Sequence, residues 1–397
     1  MWNTRLAWAA SIYAAIRGLR EQAQGARTSG SKFARCRPVN QKGLRQARYQ
    51  RWLPALVLVL AAAQSACLGY LSRAGMGQLE ILWNRRPIPE VIADPSTPPE
   101  VRRKLEHVQE VRSFAADQLG LAVADTYTQY TELDREALAW NVSGSRKLRV
   151  EARTWWFPIV GTVPYLGFFS KAEAEAAREE LEAEDYEAIV TTVAGYTTLG
   201  WFDDPLVSPQ VRFSDLSLAE LVIHESAHAT LWFQGDGGFN ESFASFVGRA
   251  GAYRFYEEKH GPDSPTIVRH RRYLKELDDL SLILHSYAKL LNDTYNQNKT
   301  DDWKFESRIR LIEELRETLR QKQPEFRVLN LKRLIEREWN NAHFLSHLRY
   351  QSGENYFERV FEEDCASEWA CFLGKMQALR DLDPAGRRAL LKSDANE

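Results

Sequence analysis

Two histidines and two glutamates lying close together carry the residue types that could do chemistry as a group. His224, Glu225 and His228 read H-E-S-A-H, and Glu241 follows in the run F-N-E-S-F-A. On a helix, positions four apart share a face one turn from each other, so His224 and His228 would aim two imidazoles at one point with Glu225 beside them. Two imidazole nitrogens and one carboxylate oxygen are donors that hold zinc while leaving a fourth position for water, and a carboxylate next to that water can act as its base. The expected roles are therefore His224, His228 and Glu241 as ligands of Zn2+ and Glu225 as general base.

The flanking residues predict the elements that must position this group. Leu218, Leu221, Val222, Ile223, Ala227, Ala229, Leu231, Trp232 and Phe233 leave little polar face beyond the motif, which predicts a buried helix. Ionisable groups inside such a helix are costly without partners, and a metal satisfies all of them. Ser217 followed by Glu220 predicts a capping-box start, and Gly235 to Gly238 predict a stop, so the motif is expected mid-helix. Asn240 and Glu241 open a second helical run whose face through Glu241, Ala244, Ser245, Gly248 and Ala252 is nearly free of bulk. That stripe would let the two helices approach closely and carry Glu241 to the metal. Glu257 and Glu258 are the alternative carboxylates.

The H-E-x-x-H helix followed by N-E-S-F-A resembles the gluzincin metallopeptidases, in which a glutamate on the next helix completes the zinc site. More narrowly, G-Y-T-T-L-G-W-F-D-D-P from Gly195 to Pro205, the His224 motif, and F-N-E-S-F-A from Phe239 to Ala244 resemble the bacterial predicted aminopeptidase family. The resemblance runs from about Cys67 to the C-terminus and is densest between Tyr165 and Gly251. It implies a zincin-like frame, peptide substrates and aminopeptidase action. One departure from the broader gluzincins is the spacing, because only twelve residues separate His228 from Glu241. An endopeptidase with the same zinc chemistry, or a non-catalytic envelope-anchored binding protein keeping the frame, are the competing readings. The hydrogen-bond donor for the oxyanion is not fixed by the motif; Tyr350, Tyr196 and Tyr165 are candidates by residue type and surroundings. Asp203 and Asp204 are acids that could receive a substrate amine.

The 397 residues are 44% hydrophobic and 27% charged, ample for one large or two modest globular domains, and the formal net charge of -2 hides an asymmetry. Residues 1–51 hold eleven Lys or Arg against the single acid Glu21. This basic arm, rich in Ser, Gly and Gln, is expected to be disordered. It leads into Trp52 to Leu71, an uncharged apolar run that could serve as a signal segment, a lipoprotein leader or a membrane anchor. Positive charge on its N-terminal side would stay cytoplasmic and send the rest outward, so the expected location is the bacterial cell envelope, membrane-anchored, with the catalytic domain facing the periplasm or exterior. Ser65-Ala66-Cys67 resembles the end of a lipobox, with Cys67 as lipid site, while Gln64 departs from it. No nucleic-acid partner is expected, because one would leave the metal constellation unexplained. Cys365 and Cys371, six residues apart, read either as one disulfide or as two buried thiols.

The expected fold class is α+β and helix-rich, with a small N-terminal β region and a long C-terminal helical hairpin. Residues 72–397 form the zincin-like domain: a β-containing part over 72–215, zinc-site helices over 216–260, and a helical part over 261–397. An extended lead-in is expected over 73–99 and a helix over 100–119. Aromatic and β-branched residues predict short strands between 137 and 165, a charged helix over 170–184, and a strand from Tyr186 to Val193. The run from Val190 to Thr198 is the candidate edge for an extended substrate to pair with, and Gly161 to Phe169 a candidate lining of the cleft. Residues 265–295 and 302–322 predict the hairpin, followed by a helix over about 327–350. His343 and His347 repeat the four-residue offset without a glutamate between them, and His107, His260, His270 and His285 read as surface residues.

Overall fold

The structure, a computed structural model, describes residues 76–123, 125–157, 161–193, 205–348 and 354–393. The basic arm, the apolar run, Cys67, Tyr196, Asp203, Asp204 and Tyr350 lie outside these residues. Among the described residues helices dominate, and the strands form three small sheets, an α+β architecture.

The N-terminal half starts with a helical segment over residues 76–83, then strand β1 (Arg86–Pro87), helix α1 (Ile88–Ala93) and helix α2 (Pro99–Asp117). The extended lead-in expected over 73–99 is thus mostly helical turns. They form because Ile81, Ile88 and Val91 are buried, so each turn has an inward anchor. Strand β2 (Gln129–Thr131) follows, then β3 (Ala139–Arg146), β4 (Trp155–Phe157), β5 (Gly161–Val163), β6 (Leu166–Phe168), helix α3 (Lys171–Ala183) and β7 (Tyr186–Val193). Strand β3 is central and antiparallel to both β6 and β7. Its Trp140 and Val142 pack with Phe168, Ala188 and the Ala174 and Leu181 face of α3. Strand β8 (Leu206–Val207) pairs in parallel with β2, which pairs antiparallel with β1.

A short helix α4 (Ser208–Val211) leads to the two central helices, α5 (Asp215–Thr230) and α6 (Gly237–His260). The helical hairpin then forms as α7 (Pro265–Tyr295) and α8 (Asp301–Lys322). Leu280, Leu284, Ala288 and Leu291 of α7 meet Ile312, Leu315 and Leu319 of α8 in one core. Thr300 caps α8 by accepting from the Trp303 N–H at 3.3 Å.

The single helix expected over 327–350 is instead broken into α9 (Lys332–Ile335) and α10 (Asn341–Leu348). Two sets of contacts explain this. The buried Glu276 of α7 accepts from the N–H groups of Arg327, Val328 and Leu329 at 2.8–2.9 Å, which delays the start of the helix. At the break itself Arg316 donates to the Arg337 carbonyl at 2.9 Å, while Glu187 accepts from the Asn341 N–H at 2.8 Å. These backbone groups are tied to side chains rather than to a helical ladder. Among the described residues the α-helices α11 (Glu354–Arg359), α12 (Trp369–Ala378) and α13 (Pro384–Ser393) come last, and Cys365 is disulfide-bonded to Cys371. The largest core joins α2, α5 and α6 to Phe357, Phe372 and Met376 of the C-terminal helices. Among the described residues, no helix is long and apolar enough to cross a membrane.

Candidate metal centre

Helix α5 begins one turn earlier than Ser217. Ser214 is the cap, its hydroxyl oxygen accepting from the Ser217 N–H at 3.1 Å, and Asp215 in the first turn complements the positive helix end. The helix also ends earlier than the glycines suggest, at Thr230, with Leu231 extended. His228 therefore lies in the last turn rather than mid-helix, and Gly237 and Gly238 open α6 instead of separating the helices. Burial of Leu231 and Phe233 is the reason, since the chain must leave the helix to bring both side chains into the core.

The contact between α5 and α6 is close because α6 lacks side chains where they meet. A Cβ on Gly248 would stand 2.8 Å from the Glu220 carbonyl oxygen and 3.0 Å from the His224 Cβ. One at Gly251 would meet Ile223 at 2.8 Å. This approach brings Glu241, at the start of α6, to the face of α5 that carries the histidines.

The donor atoms of His224, His228 and Glu241 all lie within 4.8 Å of one another. The two Nε2 atoms are 3.1 Å apart. Glu241 places Oε2 3.7 Å from His224 Nε2 and Oε1 3.5 Å from His228 Nε2. Two donors bound to zinc at about 2.0–2.1 Å in tetrahedral geometry would be about 3.3–3.4 Å apart. The two Nε2 atoms stand within a few tenths of an ångström of that spacing, and Glu241 offers a different oxygen to each ring. Burial pushes His224 down to about 4 and, with His224 beside it, His228 well below the usual imidazole range. Both rings are thus neutral, as ligands must be. Burial also raises Glu241 to about 8, and its Oε2 is buried without a hydrogen-bond partner. An orphaned carboxylate oxygen facing two neutral imidazoles is what a divalent cation would satisfy, so these residues fit a metal. The His224 ring is further held by the backbone carbonyl of Ala244, the outer hydrogen bond that fixes a ligating histidine. Glu225 is buried next to His224 on the same helix and is not among the three converging donors.

The short gap between His228 and Glu241 is closed by residues whose role was not evident from the motif. Asn240 accepts from the Phe233 N–H at 2.8 Å and donates to the carbonyls of Phe233 and Asp236 at 2.8 and 2.9 Å. The turn between α5 and α6 is thereby folded onto the first turn of α6. Asp236 in the same turn is ion-paired with Arg387 of α13 at 3.2 Å, both side chains being 3–4% exposed. The available signal was the asparagine preceding Glu241, an amide able to bind several backbone groups at once. Nothing local in the sequence linked Asp236 to a residue so far along the chain.

The alternative carboxylates point elsewhere: Glu257 pairs with Arg271 at 3.3 Å and Glu258 with Arg254 at 3.0 Å, both near the opposite end of α6. Tyr165 is buried beside β6. Gly161 to Phe169 is largely strand, with Phe168 in the sheet core. Strand β7 is an edge of its sheet and contains Val190 to Val193 of the candidate edge, while residues 194–198 lie outside the described ones. His343 and His347 both pack on Trp339. Of the four histidines read as surface residues, His260 and His285 are exposed. The other two are half-buried: His107 bonds the Asp215 carbonyl at 2.9 Å, and the Tyr253 hydroxyl lies 3.0 Å from His270 Nδ1. Charged neighbours in sequence hid this, because the helices bearing them present only part of their surface to water.

A helix-rich α+β frame with a two-histidine, one-carboxylate centre defines a candidate metalloprotein. The model of the family described as "Putative aminopeptidase" matches residues 69–391, and the chain belongs to that family. No curated protein and no solved structure matches it.

Proposed function

We propose that this protein is a zinc-dependent peptidase that removes residues from the free amino end of peptides. The convergence of His224, His228 and Glu241, with an orphaned Glu241 oxygen among them, is the observation that carries the reading. Zinc held by these three residues would supply Lewis-acid polarisation of the scissile carbonyl and a more acidic water. Glu225 takes the proton from the attacking water and passes it to the leaving amine as the peptide C–N bond breaks. Tyr350, Tyr196 and Tyr165 are the candidate hydrogen-bond donors to the developing oxyanion. The family to which the chain belongs supports peptide substrates. A glutamate directly after the first histidine, placed where a general base would stand, supports a catalytic over a merely binding role.

The domain is proposed to act outside the cytoplasm, tethered to the membrane by residues 52–71 or by a lipidated Cys67. The eleven cationic residues before the apolar run support that orientation, and the Cys365–Cys371 disulfide fits an oxidising compartment.

The test uses the full chain purified with and without added zinc. Metal content is measured for wild type, Glu225→Gln and Glu241→Ala, and hydrolysis is followed on matched peptides with free and blocked amino ends. Near-stoichiometric zinc in wild type and Glu225→Gln, its loss in Glu241→Ala, and Glu225-dependent cleavage of free peptides alone are expected. Equal cleavage of blocked peptides would make the enzyme an endopeptidase, and retention of zinc by Glu241→Ala would remove that residue from the ligand set.

A further inference from the structure

The helical segment over residues 76–83 presents two unlike faces. Gly77 and Ile81 point inward. The Gly77 Cα is pressed so closely on Phe169 that a Cβ there would overlap its ring, and Ile81 is fully buried with Leu133, Leu138 and Val207. The Ile81 carbonyl also accepts from the Thr131 hydroxyl at 2.9 Å. These contacts fix the rotation of the segment about its axis. The opposite face then carries Met76, Leu79 and Trp83, spaced i, i+3 and i+7, at 69%, 61% and 87% exposure. Three large apolar side chains so exposed, on a stripe whose orientation is locked, amount to a surface without a partner among the described residues.

Chain connectivity says what covers it. The uncharged run Trp52 to Leu71 ends just ahead of the segment, with only Ser72, Arg73, Ala74 and Gly75 between Leu71 and Met76. Fully extended, that connection spans at most about 18 Å. If Cys67 is the lipidated end, the reach to Met76 is at most about 32 Å. Either tether holds the segment beside the headgroup layer, where an amphipathic turn with a tryptophan partitions favourably and nearby cations meet anionic lipid. Arg85, exposed at the end of the segment, and Arg73 before it supply such cations.

We propose that Met76, Leu79 and Trp83 rest in the interface of the lipid bilayer, so that the domain lies against the membrane in one orientation instead of swinging on its tether. The proposal rests on the membrane-tethered reading above.

The test reconstitutes the full chain into phosphatidylcholine–phosphatidylglycerol vesicles, plain or with acyl chains brominated near the glycerol end. The difference in tryptophan fluorescence between wild type and Trp83→Phe isolates Trp83. Sedimentation after an alkaline carbonate wash reports the tether separately. The expected result is that the chain sediments with vesicles, that brominated lipid lowers the Trp83 signal by about half, and that the Met76→Ser, Leu79→Ser double variant still sediments but loses this quenching. A chain that sediments while Trp83 is freely quenched by aqueous acrylamide overturns the proposal and leaves the tether standing. Trp83 shielded from acrylamide but not quenched by brominated lipid overturns it in favour of cover by a second copy or by the chain's own N-terminal segment. Failure to sediment overturns the tether and the proposal with it.

Discussion

Gly248 and Glu225 set the terms of the site one atom at a time. Gly248 is the residue through which α6 comes close enough to α5 for Glu241 to share a site with His224. Gly248→Val would place branched carbons against the Glu220 carbonyl and the His224 side chain, and neither backbone can yield easily. We expect it to lower stability by about 1–3 kcal/mol, the usual cost of overpacking, and to weaken zinc binding in the same protein. Denaturant unfolding and metal titration together check this, and a variant that unfolds more easily yet binds zinc normally would separate the helix contact from the site. Glu225→Gln keeps the shape and removes the proposed base. A fall in kcat of about 10²–10⁴-fold with metal content unchanged is expected, read by steady-state hydrolysis alongside metal analysis.

Two connections between elements rest on single side chains that bind backbone. Asn240 folds the turn between α5 and α6 through three hydrogen bonds, all in buried surroundings. Asn240→Ala would strand the Phe233 N–H, at about 1–3 kcal/mol for a buried group left unsatisfied, and would loosen Glu241 next to it, while the Phe233 carbonyl keeps the Asp236 N–H at 3.3 Å. Thermal unfolding should register the loss, and metal affinity should fall although no proposed ligand is changed. Glu276 plays the equivalent part between α7 and the stretch before α9. Burial works against its ionised form, but the N–H groups of Leu329, Arg327 and Val328 and the guanidinium of Arg272 outweigh it and hold the carboxyl down at about 2. A carboxylate depressed in the folded state stabilises fully above its unfolded value near 4.5 and loses that contribution as pH falls towards 2. Wild type should therefore lose stability across that window, and Glu276→Gln, already weaker at neutral pH, should show a shallower decline in acid unfolding curves.

At the scale of the molecule, the ion pair between Asp236 and Arg387 ties the C-terminal helix α13 to the turn that follows α5. Both side chains are buried, so removing one leaves the other charge uncompensated. Arg387→Ala is expected to cost about 3–5 kcal/mol, and the double variant with Asp236→Ala less than the two single changes added together. A double-mutant cycle by chemical denaturation measures this directly. Because the turn carries Asn240 at its far end, zinc affinity should fall in Arg387→Ala as well, which would show that the C-terminus supports the site as well as the core.

The sequence by itself determined the centre's residue types and the two helices that bear them. H-E-x-x-H fixes a helical face, and the small residues after Glu241 announce a close helix contact, because both follow from local periodicity. The hairpin was legible for the same reason: long helices repeat their apolar spacing many times over. What only the tertiary structure decided depends on partners remote in the chain. The boundaries of α5 shifted because core burial of Leu231 and Phe233 outweighed the turn signal of the glycines. The helix expected after the hairpin starts late because Glu276, far back in α7, captured its first backbone donors, and it breaks where Arg316 and Glu187 take the Arg337 carbonyl and the Asn341 N–H. The rotation of residues 76–83, which turns Met76, Leu79 and Trp83 outward, was likewise set by Phe169 and Leu138. Local pattern reports which faces a segment has; only packing decides what each face meets.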